Sequence, residues 1–207
     1  MITIVFLAGG QSKRMGSDKA LKPFLGIPLI QRLIHRFSVL EYPMMVISNT
    51  PESFKEIQIP VVQDVIPGHG ALGGLLSALS IPQTRYIAMI ACDMPFANAQ
   101  LLDMEYQHLL QNPADAIVPT TYAGYEPFHA VYQRDVCIDH VRRDVENGER
   151  KMISWFDQAN IRAFPIHLFD PYSEQPELFY NMNTPADWDY AEKIAKTKGM
   201  EWGELAD

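Results

Sequence analysis

The amino-acid sequence predicts a single α/β domain with a mostly parallel sheet, and three observations carry this prediction. Short, continuous apolar runs at residues 2–8 ("ITIVFLA"), 44–49 ("MMVISN") and 86–92 ("YIAMIAC") are typical of strands buried on both faces of a sheet. Segments with apolar residues at helical spacing separate these runs, which indicates right-handed crossovers between parallel strands. The 207 residues are 47% hydrophobic, without a repeat or a Pro/Gly/Ser linker, so one domain is expected over residues 1–207.

The individual elements follow from spacing and from end signals. Pro28 opens the first predicted helix, because proline is favoured at the first helical position. An apolar stripe then runs along residues 29–40, and Arg32 and Arg36 lie off that stripe. Further helices are predicted at 71–79 and 98–111, and further strands at 59–64, 115–122 and 127–133.

Charge and cysteine content restrict the partners and the compartment. A net charge of -8 and a pI near 5.2 argue against nucleic acid or an anionic membrane as the main partner. Cys92 and Cys137 are far apart and in no metal-ligand spacing, which is typical of a reduced protein. The first residues lack the charged segment of a secretory signal, and no apolar run approaches the roughly 18 residues of a membrane span. The chain is therefore expected to be cytoplasmic.

Polar positions follow four of the predicted strands. They are the glycine-rich loop after the first strand, Asn49, Asp64 and Asp93. Open parallel sheets bind ligands beyond the carboxyl ends of their strands, so these positions are predicted to converge on one site.

The loop "FLAGGQSKRMGSDK" (residues 6–19) combines flexible backbone with positive charge. Adjacent Gly9 and Gly10 allow successive backbone N–H groups to face an anion, and Arg14 and Lys19 supply charge. The spacing fits neither the P-loop nor the dinucleotide-binding fingerprint. Two interpretations remain open: a phosphate-binding loop, or a glycine turn with solvated charges.

Asp93, in "ACDMPF", is predicted to bind Mg²⁺. A carboxylate at the rim of a parallel sheet suits this cation, which proteins hold through one or two carboxylates together with substrate phosphates and water. The alternative is that Asp93 caps the helix that begins near Asn98. For Asp64 the alternatives are a ligand contact or the start of a turn.

A third polar segment, "FYNMNTPADW", lies near the C-terminus. Asn181 and Asn183 are two residues apart, so both amides would face the same way in an extended chain and could contact a ligand; alternatively, they stabilise a turn. Thr184, Pro185 and Asp187 have the pattern of a helix cap.

The motifs "LAGGQSKRMGSDKAL", "ACDMPF" and "NMNTPAD" together resemble, in order and spacing, those of the bacterial molybdenum cofactor guanylyltransferase family. The resemblance implies a three-layer, Rossmann-like fold of the nucleotide-diphospho-sugar transferase type. It also implies a Mg²⁺-dependent enzyme that transfers GMP from GTP to molybdopterin and releases pyrophosphate. The implied partners are GTP, molybdopterin and, further on, molybdoenzymes or proteins that deliver the cofactor.

Residue roles carry over by motif. Asp93 matches the magnesium ligand, Lys19 a phosphate contact, and Asn181 and Asn183 reach the same site. Arg14 is added to the catalytic set on charge and position. The positions that the resemblance assigns to nucleotide binding are Leu7, Ala8, Gly9, Gly10, Lys19, Asn49, Asp64 and Asp93.

Two features concern base choice and the acceptor. The family often has Gly-Pro-Leu-Ala-Gly where this chain has "GALGG" (residues 70–74), so a more flexible loop is expected there. "LAGG" favours guanine over cytosine, because sister enzymes that transfer CMP usually have Leu-Ala-Ala-Gly. On the acceptor side, His129, Arg150 and Lys151 are candidates to meet an anionic pterin, although a solvated helix end also explains the last two.

Three other functions remain open at this point. The chain could use CTP with molybdopterin, or act on a sugar or alcohol phosphate. It could instead be a non-catalytic nucleotide-binding protein for cofactor delivery, although the presence of both Lys19 and Asp93 argues against that.

Overall fold

The computed structural model describes residues 1–8, 19–168 and 175–200. Its strands are β1 (Ile2–Ala8), β2 (Pro23–Phe24), β3 (Ile27–Pro28), β4 (Met44–Ser48), β5 (Val61–Gln63), β6 (Tyr86–Ala91), β7 (Ala116–Thr121), β8 (Gly124–Tyr125), β9 (His129–Gln133) and β10 (Ile161–Pro165). Its α-helices are α1 (Leu29–Ser38), α2 (Gly70–Ser80), α3 (Ala99–Gln111), α4 (Arg134–Glu146) and α5 (Pro185–Thr197). The strands and helices predicted from the sequence are all present, and β2, β3, β8, α4 and β10 are additions.

The described residues form one eight-stranded sheet in the order β5–β4–β1–β6–β9–β7–β10, with β8 paired to β7. The pairs β1–β4, β1–β6, β4–β5 and β7–β10 are parallel, which confirms the mostly parallel sheet. β9 runs against both of its neighbours. The reason is length, because residues 122–128 between β7 and β9 are too few for the crossover that a parallel pair requires.

Helices cover both faces of the sheet, which gives three layers. α1, α3 and α5 pack over one face, and α2 and α4 over the other. β1 shows how one strand serves both cores, since Ile4 and Phe6 point into the first and Val5 and Leu7 into the second. The continuous apolar runs in the sequence reflect this burial on both sides.

Two arginines of α1 have specific partners inside the fold. Arg32 is only 3% exposed, and its guanidinium donates to the carbonyl oxygens of Phe24 and Leu25 at 2.7 and 3.2 Å. Arg36 donates to carbonyl oxygens beyond β6. Lying off the apolar stripe therefore does not place these cations in solvent; both hold irregular backbone in place.

The cysteines and the helix lengths agree with the expectations from the sequence. Cys92 and Cys137 are both buried thiols, and burial raises the pKa of Cys137 far above its usual range. Within the described ranges, every helix falls short of the length and apolar character that crossing a membrane requires.

Candidate active site

The carboxyl ends of β1, β4, β5 and β6 form one edge of the sheet. Ala8 lies opposite Ser48, Ser48 lies opposite Gln63, and Leu7 lies opposite Ala91 in the strand register. Neighbouring strands are about 4.8 Å apart, so whatever follows each strand meets at this edge. The convergence predicted from the sequence is therefore present for Asn49, Asp64 and Asp93 at the edge where β1 also ends, whereas the glycine-rich loop that follows Ala8 lies outside the described residues.

The end of β1 is tightly enclosed. The carbonyl oxygen of Leu7 accepts a hydrogen bond from the N–H of Cys92 at 3.0 Å, and Ala8 is buried. On the other side of the sheet, a Cβ at Gly74 would come 3.1 Å from Leu7 Cδ1, so α2 lies directly against the strand. The predicted contacts of Gly9, Gly10 and Arg14 lie outside the described residues.

Lys19 joins three segments that are far apart in the sequence. Its Nζ donates to Asn183 Oδ1 at 3.0 Å and lies 3.8 Å from Asp93 Oδ2. The Lys19 and Asp93 side chains are 19% and 27% exposed, so both are shielded yet accessible to a small ligand. A cation, a carboxylate and an amide therefore meet at the sheet edge.

Asp93 has the character of a ligand-binding carboxylate. Burial raises its pKa above the ordinary aspartate value, while the Lys19 ammonium acts in the opposite direction. The alternative role as a helix cap is wrong, because Asn98 caps α3 by accepting the N–H of Leu101 at 2.9 Å.

The donor set at Asp93 fits magnesium better than a metal that needs a protein cage. Among the described residues, no group of three or more His, Cys, Asp or Glu side chains is arranged to hold a metal. Among the described residues, Asp93 is the carboxylate beside Lys19, and one or two carboxylates with phosphates and water supplying the other oxygens is the arrangement that Mg²⁺ uses with nucleotides.

The "NMNTPAD" segment is fixed to Asp93 through the backbone. The N–H of Met182 donates to the carbonyl oxygen of Asp93 at 2.9 Å. Asn183 then reaches Lys19, whereas the Asn181 amide donates to the carbonyl oxygen of Phe179 within its own turn. The two asparagines thus differ: among the described residues, Asn183 has a side-chain bond to another predicted site residue and Asn181 has one only within its own turn.

The helix cap predicted after this segment is present. Thr184 Oγ1 accepts the N–H of Asp187 at 3.2 Å, and Asp187 Oδ2 accepts the backbone N–H groups of Asn183 and Thr184 at 2.8 and 2.7 Å. These bonds lower the pKa of Asp187.

Asn49 and Asp64 lie at the same edge, but the Asn49 side chain is exposed whereas the Asp64 carboxylate accepts hydrogen bonds within the fold. Asn49 is exposed beyond the end of β4. Asp64 Oδ1 accepts the Ser77 hydroxyl at 2.6 Å and the Ile66 N–H at 3.0 Å, so this carboxylate ties the loop after β5 to α2. The turn interpretation of Asp64 therefore holds, and its contact with a nucleotide stays a prediction.

The "GALGG" stretch is the first part of α2, so the expected flexible loop is wrong. Gly73 is closely packed, because a Cβ there would lie 2.8 Å from His69 Cβ. Glycine at this position makes room for the histidine that precedes the helix.

The acceptor-side candidates separate into one buried and two exposed residues. His129 is fully buried and lies 3.1 Å from Glu105 Oε1, so it does not reach a ligand in this structure, contrary to the expectation. Arg150 and Lys151 are exposed just beyond α4. Because α4 follows the antiparallel strand β9, its C-terminal end points back to the same sheet edge as Asp93.

Glu105 and the guanidinium of Arg36 were missed by the sequence analysis. Glu105 is fully buried among leucines of α3, and its pattern in the sequence is that of any polar residue on a helix. A charged residue close to an otherwise apolar stripe is the signal that could have pointed to Arg36.

Two curated relatives cover almost the whole chain. A protein of Carboxydothermus hydrogenoformans named "Probable molybdenum cofactor guanylyltransferase" is 28% identical over 199 residues, which is 95% of this chain and 98% of the relative. A protein of the same name from Clostridium perfringens is 29% identical over 187 residues, with coverage of 88% and 92%.

Solved structures agree on the fold. Molybdopterin-guanine dinucleotide biosynthesis protein A from Archaeoglobus fulgidus superposes with a TM-score of 0.83 at 23% identity, covering 94% of this chain and 99% of the other. The 4-diphosphocytidyl-2C-methyl-D-erythritol synthase of Anaerococcus prevotii gives a TM-score of 0.66 at 12% identity, with coverage of 94% and 98%. The three-layer α/β architecture is therefore that of Rossmann-like nucleotide-diphospho-sugar transferases.

A family model described as a MobA-like NTP transferase domain matches residues 4–161, which is more than half of the chain and includes most of β1, Lys19, Asp64 and Asp93. The match agrees with the geometry at the sheet edge and with the names of the curated relatives. The chain belongs to the MobA-like NTP transferase family.

Proposed function

We propose that this protein transfers GMP from GTP to molybdopterin, releasing pyrophosphate and forming a guanine dinucleotide cofactor. The observation that carries the proposal is the meeting of Lys19, Asp93 and Asn183 at the carboxyl edge of the sheet. The names of the relatives supply the substrates, and the edge supplies groups suited to a triphosphate.

The reaction exchanges one phosphorus–oxygen bond for another. A phosphate oxygen of molybdopterin forms a bond to the α-phosphorus of GTP, and the bond from that phosphorus to the bridging oxygen of the β-phosphate breaks. The electron pair leaves with pyrophosphate. Two anions must approach each other, so the protein acts mainly through positioning and neutralisation of charge.

Each site residue has a part in that task. The Lys19 ammonium donates to the triphosphate with one N–H and keeps its bond to Asn183 with another, so Asn183 orients it. Arg14 and the backbone N–H groups at Gly9 and Gly10 add positive charge along the phosphates. Asp93 would hold Mg²⁺, which neutralises phosphate oxygens when bound.

The nucleotide base and the acceptor occupy opposite sides of this centre. The ends of β1, β4 and β5, with Leu7, Asn49 and Asp64, form the nucleotide side. Arg150 and Lys151 offer the positive charge that a phosphorylated pterin needs, against the background of a negatively charged chain. We extend the proposal to cytoplasmic synthesis of the cofactor for molybdoenzymes.

Titration calorimetry of GTP, CTP and ATP with Mg²⁺ tests the nucleotide half of this proposal. GTP is expected to bind more tightly than the other two, and Lys19→Ala to weaken it. Tighter binding of CTP would support transfer of CMP in place of GMP. If no nucleotide bound, the proposed mechanism would be wrong.

Labelled GTP tests the acceptor half. Transfer of label to molybdopterin, with release of pyrophosphate, is the expected result. Transfer to a sugar or alcohol phosphate instead would retain the chemistry and replace the acceptor. Nucleotide binding without transfer to any acceptor would favour a delivery protein.

A further inference from the structure

Residues 93–98, which we call the Asp93 loop, connect β6 to α3 without helix or strand. The sheet therefore sets where the loop begins but not where the Asp93 carboxylate points. Its direction depends on the contacts that hold the loop, and most of these come from elsewhere in the fold.

Arg36 on α1 provides two of these contacts. Its Nη1 donates to the carbonyl oxygens of Pro95 at 2.6 Å and of Ala97 at 2.9 Å. These carbonyls lie two and four residues beyond Asp93, and both residues are buried. One guanidinium thus spans the middle of the loop and satisfies two backbone acceptors that water does not readily reach.

Arg36, like Arg32, is a desolvated cation that donates to backbone carbonyl oxygens. Desolvation, followed by the neighbouring Arg32, lowers its pKa to about 10, so it remains protonated at neutral pH. Among the salt bridges of the described residues, none pairs Arg36 with a carboxylate. Within the described part of the chain, the cation lies beneath the loop and donates to the two carbonyl oxygens.

The far end of the loop is fixed separately. His129 Nε2 lies 3.2 Å from the Asn98 carbonyl oxygen, and His129 Nδ1 lies 3.1 Å from Glu105 of α3. Asn98 itself caps α3. Between these ends, the backbone has turn hydrogen bonds from the N–H groups of Met94 and Ala97, and Arg36 adds the side-chain donors for the Pro95 and Ala97 carbonyls.

We infer that Arg36 is a positioning residue that holds the Asp93 loop so that the Asp93 carboxylate is presented to a metal–nucleotide ligand beside Lys19. The inference rests on the proposed function, and it concerns a residue that has no contact with substrate in the proposed reaction. A misplacement of about 1 Å is enough to weaken such a site by about 100-fold. Loss of the two bonds from Arg36 therefore affects metal-dependent binding before it affects the fold as a whole.

The test compares Arg36→Met with Arg36→Lys and with the surface control Arg142→Met. Met keeps an unbranched stem of similar length and removes the donors, whereas Lys keeps the charge and part of the donor capacity. Arg142 is exposed on α4 and forms a surface salt bridge with nearby Asp139 at 2.9 Å. Calorimetry measures binding of GTP with Mn²⁺ and, in EDTA, of GTP alone.

The expected result is a difference between the two titrations. Arg36→Met weakens binding of Mn²⁺–GTP by about tenfold or more and changes binding of metal-free GTP by less than about twofold. Arg36→Lys lies between Arg36→Met and the wild type, and Arg142→Met matches the wild type. Equal affinity of Arg36→Met and wild type for Mn²⁺–GTP, or equal losses with and without metal, overturns the inference.

Amide hydrogen exchange gives a second readout that needs no nucleotide. Exchange is expected to accelerate in peptides covering 93–98 of Arg36→Lys or Arg36→Met and to stay unchanged in β6. Unchanged exchange in the loop overturns the inference even if Arg36→Met fails to fold, because Arg36→Lys reports the same contact. A wild-type protein that binds no nucleotide would overturn the proposed function alone, and the exchange data would still decide whether Arg36 holds the loop.

Discussion

Asp93 and Asp187 lie on neighbouring segments of the same edge, yet their surroundings are opposite. Asp187 accepts two backbone N–H groups and the Tyr180 hydroxyl, and its pKa is lowered by these bonds. Asp93 is more enclosed, has the Lys19 ammonium 3.8 Å away, and has its pKa raised by burial. The Asp187 carboxylate accepts three hydrogen bonds within the fold, whereas among the described residues the Asp93 carboxylate has the Lys19 ammonium as its side-chain neighbour.

The difference distinguishes a carboxylate that stabilises the fold from one that is suited to bind a ligand. A carboxylate saturated with backbone donors fixes the start of α5, because a charge that accepts several N–H groups is stabilised in place. A buried carboxylate with few donors is costly for the fold and is suited to a cationic ligand. The two regions meet at Asn183, whose backbone N–H donates to Asp187 and whose side-chain oxygen accepts a hydrogen bond from Lys19.

Substitution of Asp93 by Asn should produce the largest effect and tests the comparison directly. Binding of Mg²⁺–GTP and GMP transfer should fall by about 100-fold or more, because a neutral amide is a poor ligand for a hard cation and charge stabilisation of this kind contributes about that much. Calorimetry and the labelled-GTP assay measure the two losses.

The free energy of unfolding of Asp93→Asn should increase at neutral pH, although its binding and transfer activity fall. Since the folded-state pKa of Asp93 is raised, its charge destabilises the ligand-free fold at neutral pH, and the penalty disappears as pH falls through that pKa. Asp93→Asn should therefore be more stable than wild type at pH 7 and equal to it in acid. Asp189→Asn, at an exposed position of α5, serves as the control; a loss of stability in Asp93→Asn would contradict the comparison.

Lys19→Ala should give a smaller loss of about 10- to 100-fold in binding of Mg²⁺–GTP, because other cationic groups at the loop remain. The variant also leaves Asp93 without its cationic neighbour, so the pKa of Asp93 should rise further. Measurement of the affinity across pH checks both effects. Lys22→Ala, which removes the cation above the Trp188 ring 4.2 Å away, is the matched control and should bind as wild type does.

Dependence on pH should distinguish the two aspartates in wild-type protein. Binding of Mg²⁺–GTP requires Asp93 ionised, so affinity should fall in acid from a pH above the ordinary aspartate pKa of about 3.9, by about tenfold per pH unit. The stabilisation from Asp187, whose pKa is lowered, should be lost only at lower pH. Thermal unfolding and calorimetry over the same pH series would show the two transitions apart; coincident transitions would contradict the assignment.

The sequence predicted the fold well where periodicity alone decides the element. Buried runs such as residues 2–8 and the cap at Thr184 depend on neighbours close in the chain, and the structure confirms them. The convergence of the strand ends followed from a topological rule. It needed no knowledge of side-chain positions.

Contacts between distant segments were beyond that reasoning. His129 was predicted to meet a ligand but is enclosed with Glu105, a partner 24 residues away on α3. Arg36 lies 59 residues before Pro95, the nearer of its two acceptors. The spacing of residues within one element does not reveal such pairs, because the partner lies in a distant segment. Whether a charged side chain is buried depends on whether that segment presents a group that needs a hydrogen-bond partner.

Thr184→Ala should give the smallest functional effect and marks the boundary between the two regions. Loss of the N-cap hydroxyl should lower the free energy of unfolding by about 1 kcal/mol, since the first turn of α5 loses an acceptor for the Asp187 N–H. Thr184→Ser keeps the hydroxyl and should unfold as wild type does in denaturant titrations. Binding of Mg²⁺–GTP should change by less than about twofold, because Asp187 still accepts the N–H of Asn183. If Thr184→Ala instead kept its stability and lost affinity, the cap would be part of the nucleotide site. The distinction between Asp187 as a residue that stabilises the fold and Asp93 as a residue that binds the ligand would then fail.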